Sequence, residues 1–159
     1  MTDIILHGHS RLIDYARKLT IDIQPDQMAF QPHPGMNHPA WILAHLNVYV
    51  PVLEKIILGE MFPDPKDSAF GIGSEISPDL SDYPEQEKLY ETFFKGNEKA
   101  AALLSEKGPA VFNEPTKLPR WQDSMPTAGH ALGYLMLGHQ GIHLGQLSAW
   151  RRVVGMPPA

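Results

Sequence analysis

This sequence predicts an all-α fold, a bundle of four helices, on three observations. Four long stretches carry apolar residues at helical spacing, and none alternates convincingly as a strand does. Connections rich in proline and glycine separate them, and three of these exceed a dozen residues. A helix with one apolar stripe needs partners to cover it, so four such helices close economically around one core. The 159 residues suffice for one domain, and there is no internal repeat.

Residues 3–22 set Ile4, Ile5, Leu12, Tyr15, Ala16 and Leu19 on one face, with Asp3 as a capping residue and Pro25 beyond the end. Residues 24–36 hold three prolines and one glycine, which makes them a connection. The second helix is expected over about 38–58, with Asn37 as N-cap and Pro39 in the first turn, where proline is tolerated. Trp41, Ile42, His45, Leu46, Tyr49, Val52, Leu53 and Ile56 form its stripe. Pro51 removes one backbone bond and predicts a kink, and Gly59 ends the helix.

Residues 59–83 form a long loop with little periodicity, a length that points to a functional segment or a crossover. The third helix is expected from near Pro84, capped by Asp82, with Leu89, Phe93, Asn97, Ala100 and Leu104 on one face and Gly108–Pro109 as its stop. A proline-rich connection over 109–125 contains Arg120 and Trp121. Pro126 then opens a fourth helix over about 127–152, whose core face takes Leu132, Leu135, Met136, Ile142, Gln146 and Trp150.

Composition excludes several classes of function. The net charge of −5 offers no basic surface for nucleic acid. The absence of cysteine removes disulfides, thiolate ligands and a cysteine nucleophile together. No apolar run reaches the roughly 18 residues of a membrane span, and the N-terminus lacks the pattern of a signal peptide. A cytoplasmic protein is the expectation.

Eight histidines remain to be explained. His139 and His143 are four apart, so both project from one face of the fourth helix. His45 lies within the apolar stripe of the second helix. A lone histidine on such a face is usually a hydrogen-bonded core residue. Three on two core-facing helices need several dedicated partners, because an unmatched buried imidazole costs about 1–3 kcal/mol. One divalent ion would satisfy a nitrogen on each ring at once. Imidazole ligation suits zinc, nickel, copper or iron, so residue type does not fix the element.

The run HQGIH has the frame of the HExxH hydrolases, but Gln140 cannot serve as their general base, which excludes that class. His130 precedes His139 by nine residues, two and a half turns of an α-helix, and so falls on the opposite face. His7, His9, His33 and His38 sit near element ends or in a loop and read as surface residues, with His38 an alternative at a site mouth. The fourth helix also holds Gly129, Gly133, Gly138, Gly141 and Gly145. Each costs roughly 0.8–1 kcal/mol relative to alanine, which suggests close approach of neighbouring helices.

The segments NHPAWILAHL and GHQGIHLGQL resemble the DinB/YfiT-like superfamily of small metalloproteins. In that frame an aromatic precedes a histidine in the second helix, and the fourth carries His-x-x-x-His and then Gly-Gln-Leu. His45, His139 and His143 match the ligands, and Gly145–Gln146–Leu147 matches the segment after them. The resemblance implies a four-helix bundle with a crossover between helices two and three. It also implies a divalent ion, commonly nickel or zinc, on the three histidines, and often a homodimer. Among such proteins are S-transferases and an isomerase that depend on a low-molecular-weight thiol.

Three functions are expected from these residues. The first is a metal-dependent enzyme acting on a small molecule, with the ion activating a water or an external thiol. Gln146, Asn47 and Tyr49 are its candidate outer residues, and Arg120 and Trp121 candidates for holding an anionic substrate. The second is a metal-binding or stress-response module without turnover, and the third a structural dimerisation bundle.

Overall fold

The computed structural model describes residues 1–159. Helix α1 spans Thr2–Thr20, α2 Pro39–Leu58 and α3 Gln86–Lys107. The fourth helix of the bundle is continuous but has three parts: α4 over Ala128–Gly133, a π-helical segment over Tyr134–His139, and α5 over Gln140–Val153. No strand forms, and single 3₁₀ turns punctuate the connections.

Local chemistry sets the ends. His38, not Asn37, is the N-cap of α2, accepting from the Trp41 amide at Nδ1 (3.3 Å), with Pro39 behind it. Asn37 is thereby free to reach another helix. Helix α2 runs on through Pro51 and ends at Gly59, whose φ of 70° needs no Cβ penalty. Helix α3 begins two residues later than Pro84, with Glu85 at its N-cap rather than Asp82, and stops at Gly108–Pro109. Thr127 caps α4.

Specific contacts give the topology. Asn47 of α2 donates to the Leu89 carbonyl of α3 (3.0 Å), and Glu54 pairs with Lys99 (2.6 Å), so these neighbours run parallel. The chain between them must therefore travel back along the bundle, which makes 59–85 a crossover. Helix α1 runs antiparallel to α3, with His9 at Asn97 (3.0 Å) and Thr20 at Tyr90 (3.2 Å). The fourth helix is parallel to α1 and antiparallel to α2: Arg151 reaches the Leu19 carbonyl (2.9 Å), while Asn37 meets Gln146 (2.9 Å) and His45 meets His139 (3.0 Å).

The core is divided across its length. One apolar cluster holds Ile5, Leu53, Leu104, Trp121 and Met136, and the other Ile13, Leu46, Phe93, Leu144 and Trp150. Burying side chains of this size stabilises by roughly 1.5–3 kcal/mol each. Between the clusters lies a polar layer to which every helix contributes: His9, His45, Asn97, His139 and Gln140. Asn97 Oδ1 accepts from Gln140 Nε2 (2.5 Å) and His9 Nε2 (3.0 Å), and its amide donates to the Phe93 carbonyl (2.8 Å). His9 is thus a core residue (2% exposed), contrary to the surface expectation. Its spacing from Ile5 and Ile13 places it on the buried stripe of α1, whereas Ile4 is 72% exposed.

Two further expectations change. Helix α2 is long and apolar enough to cross a membrane by length and composition, with mean hydropathy 1.4 over its richest window, but 67% of that window is buried inside the bundle. Of the fourth-helix glycines, only Gly129 meets a close neighbour outside its own helix: a Cβ there would lie 2.9 Å from Phe112. Gly133 and Gly145 face open space, so close helix approach does not explain them.

Candidate metal centre

His45, His139 and His143 come together where α2 faces the fourth helix. Each offers one ring nitrogen, and the three lie within 4.8 Å of one another. All three are buried, at 3%, 7% and 8% exposure. Trp41, one turn before His45, stacks on that ring with centroids 4.8 Å apart and planes 7° from parallel. Tyr49, one turn after, packs against His139 at 4.4 Å.

Two of the rings are oriented by partners behind them. His45 Nδ1–H donates to the carbonyl of Phe70 (2.6 Å), in the crossover. His143 Nδ1–H donates to Gln146 Oε1 (2.9 Å), which also accepts from Asn37 Nδ2 (2.9 Å). With Nδ1 committed as donor, Nε2 of each ring presents a lone pair to the centre. His45 Nε2 already lies 3.0 Å from His139 Nε2. His139 Nδ1 is buried without a hydrogen-bond partner.

Charge state fits the same role. Burial, with His143 and His45 nearby, pushes the His139 pKa down to about 3. Burial and His45 push His143 to about 4, against the opposing bond to Gln146. Burial also lowers His45, against its bond to Phe70. All three are therefore neutral at pH 7, the form that ligates metals. Converging neutral nitrogens, two of them anchored from behind, suit a divalent ion and leave coordination positions for a further ligand.

Residues 9–147 match the DinB superfamily. The chain belongs to the DinB superfamily. Comparison with curated proteins and comparison with solved structures each return no match.

In this DinB-superfamily protein the three rings open onto a cavity of about 690 Å³. The lining includes Asn37, Trp41, Tyr49, Arg120, Trp121, His130, Tyr134 and Gln146. Gln146, Tyr49, Arg120 and Trp121 therefore share the cavity with the histidines. Trp121 is 5% exposed and packs on Phe62 at 5.7 Å. Arg120 forms a two-bond pair with Asp64, donating from Nε and Nη2 at 2.6 Å each. Asn47 does not join them: its amide faces α3, at the Leu89 carbonyl.

Several contributors are not legible in the sequence. The crossover supplies Ile72 and Gly73 to the lining, the Phe70 carbonyl to His45, and Ser74 Oγ to Trp41 Nε1 (3.2 Å). Its length was the only signal. His38 is fully buried, bonded through Nε2 to the Ser77 carbonyl (2.9 Å), and does not line the cavity.

His130 and Tyr134 line the cavity because the π-helical segment breaks α-helical register. A π turn takes in an extra residue, shifting the helix before it by about 100° relative to the helix after it. His130 thus swings from the face opposite His139 toward the cavity. Ile142 also lines the cavity and is 54% exposed, so it is not the core residue its spacing suggests.

Proposed function

We propose that this protein is a metal-dependent enzyme in which His45, His139 and His143 hold a divalent ion, zinc or nickel, at the floor of a small-molecule cavity. The observation that carries the reading is the convergence of three neutral ring nitrogens, two anchored from behind, at the floor of a 690 Å³ cavity. A bound ion there would supply Lewis acidity, lowering the pKa of a water or thiol nucleophile. Because the chain has no cysteine, a thiol must come from a co-substrate, and a thiol-dependent S-transferase is the specific reaction we favour.

The chain's own residues have separable tasks. Phe70 and Gln146 fix the tautomers of His45 and His143. Trp41 covers the His45 ring and restricts water on that side. Tyr49, Arg120 and His130 furnish polar groups for the organic part of a substrate. The cytoplasmic location and the homodimer belong to the same proposal; the dimer rests on resemblance alone and is tested by light scattering.

Metal content decides first. Protein purified without a histidine tag and incubated with Zn or Ni should hold about one ion per chain, and His143→Ala should lose it while staying folded. A full ion in His143→Ala would sink the ligand assignment. Conjugation of monochlorobimane with several low-molecular-weight thiols then tests turnover. A second reading, metal binding without turnover, draws support from the absence of any carboxylate in the cavity lining. A metal-loaded protein with no thiol-dependent rate would favour it.

A further inference from the structure

We propose that the cavity contains a seat for a carboxylate, formed by the free edge of Arg120 and the hydroxyl of Tyr49, and that its substrates are small carboxylate-bearing molecules. The inference rests on the reading of this cavity as a substrate site and names the class of molecule it takes.

Three observations converge on it. First, a guanidinium has two hydrogen-bonding edges. Asp64 takes the Nε and Nη2 edge of Arg120, which leaves Nη1 without a protein partner. The Arg120 side chain is 40% exposed and lines the cavity, whereas Asp64 is only 15% exposed and does not. Asp64 thus acts as a brace. It holds a long flexible side chain in place, so that less rotamer freedom is lost when a ligand binds.

Second, Tyr49 lines the same cavity as Arg120 and the histidines. Its ring packs on His139 at 4.4 Å and on His45 at 5.3 Å. Its phenol is a hydrogen-bond donor that can serve a carboxylate. A ligand held at Arg120 and reaching the histidines shares the cavity with this residue.

Third, no competing carboxylate faces the cavity: Asp64 offsets the charge of Arg120 from behind and does not line it. Three neutral rings would leave the charge of a divalent ion undiminished. A ligand with an anionic group at one end and a nucleophilic group at the other complements both ends of such a cavity, in a site with low-dielectric walls where complementarity counts most.

The test uses 3-phenylpropionate and 3-phenylpropanol, which share shape and carry no thiol. Binding is read from quenching of tryptophan fluorescence, since Trp41 and Trp121 both line the cavity. Metal-free and metal-loaded proteins are measured side by side. The acid should bind about tenfold more tightly than the alcohol, as a charge-assisted bond to Arg120 implies. Arg120→Gln should bring the two probes within about twofold, while Arg120→Lys keeps part of the preference.

Equal binding of the two probes to the unmodified protein would overturn the seat, whether or not any variant folds. So would a preference that survives Arg120→Gln in metal-free protein with unchanged circular dichroism. Loss of preference in both metal states leaves the metal centre standing. A preference intact in a protein that takes up no metal refutes the metal reading alone.

Discussion

Gln146 offers a sharp test of how the centre is built. Its Oε1 accepts from Asn37 Nδ2 and His143 Nδ1, each at 2.9 Å, so replacing it with leucine removes the one partner that fixes the His143 tautomer. The ring then loses a hydrogen bond worth about 1 kcal/mol and gains freedom to turn. Partners of this kind typically carry about 10–100-fold in metal affinity, or about 1.4–2.8 kcal/mol. Gln146→Leu should weaken Zn binding by that factor, measured in competition with a chromophoric chelator. Global stability should change little, because Gln146 is only half-buried. Gln146→Glu should act in the opposite direction, since a carboxylate accepts more strongly and makes His143 a better donor to the ion. Affinities for both variants within twofold of the parent would refute the idea that Gln146 sets the His143 ring.

Three further outcomes are expected. The metal-free protein should hold constant stability above pH 6.5 and lose it below, because the unfolded chain binds protons that folded His139 and His143, at about 3 and about 4, refuse. Either ring alone contributes roughly 2 kcal/mol of loss by pH 5, urea melts from pH 8 to pH 4 report the slope, and a flat profile would contradict buried neutral histidines. Gly129→Ala should destabilise, since its Cβ would lie 2.9 Å from the Phe112 carbonyl oxygen, whereas Gly145→Ala, with open space, should stabilise by roughly 0.5–1 kcal/mol; equal melting shifts would show that the two glycines are equivalent. Asp22→Asn weakens the partner of Arg151, whose side chain is 3% exposed and also holds the Leu19 and Pro157 carbonyls; Asp22 itself is 41% exposed, so denaturant melts should register a loss of about 1 kcal/mol.

The helices and the three converging histidines were legible from the residues alone. Apolar spacing marked four amphipathic stretches, and glycine and proline at Gly59 and Gly108–Pro109 marked two ends, because these signals act within a few residues of chain. His139 and His143 were legible together because four residues return nearly to the same helical face, and His45 because a polar ring in an apolar stripe is conspicuous. The rest required the tertiary structure. No local pattern says that the crossover lays the Phe70 carbonyl against His45, or that Asn37 leaves its capping role to reach Gln146 across 109 residues. Nor does spacing reveal the π-helical segment that carries His130 and Tyr134 to the cavity, because the extra residue changes the period on which face assignments depend. Periodicity tells each helix which side to bury. Only packing decides which backbone carbonyl, amide or guanidinium meets that side, and so what chemistry the histidines can perform.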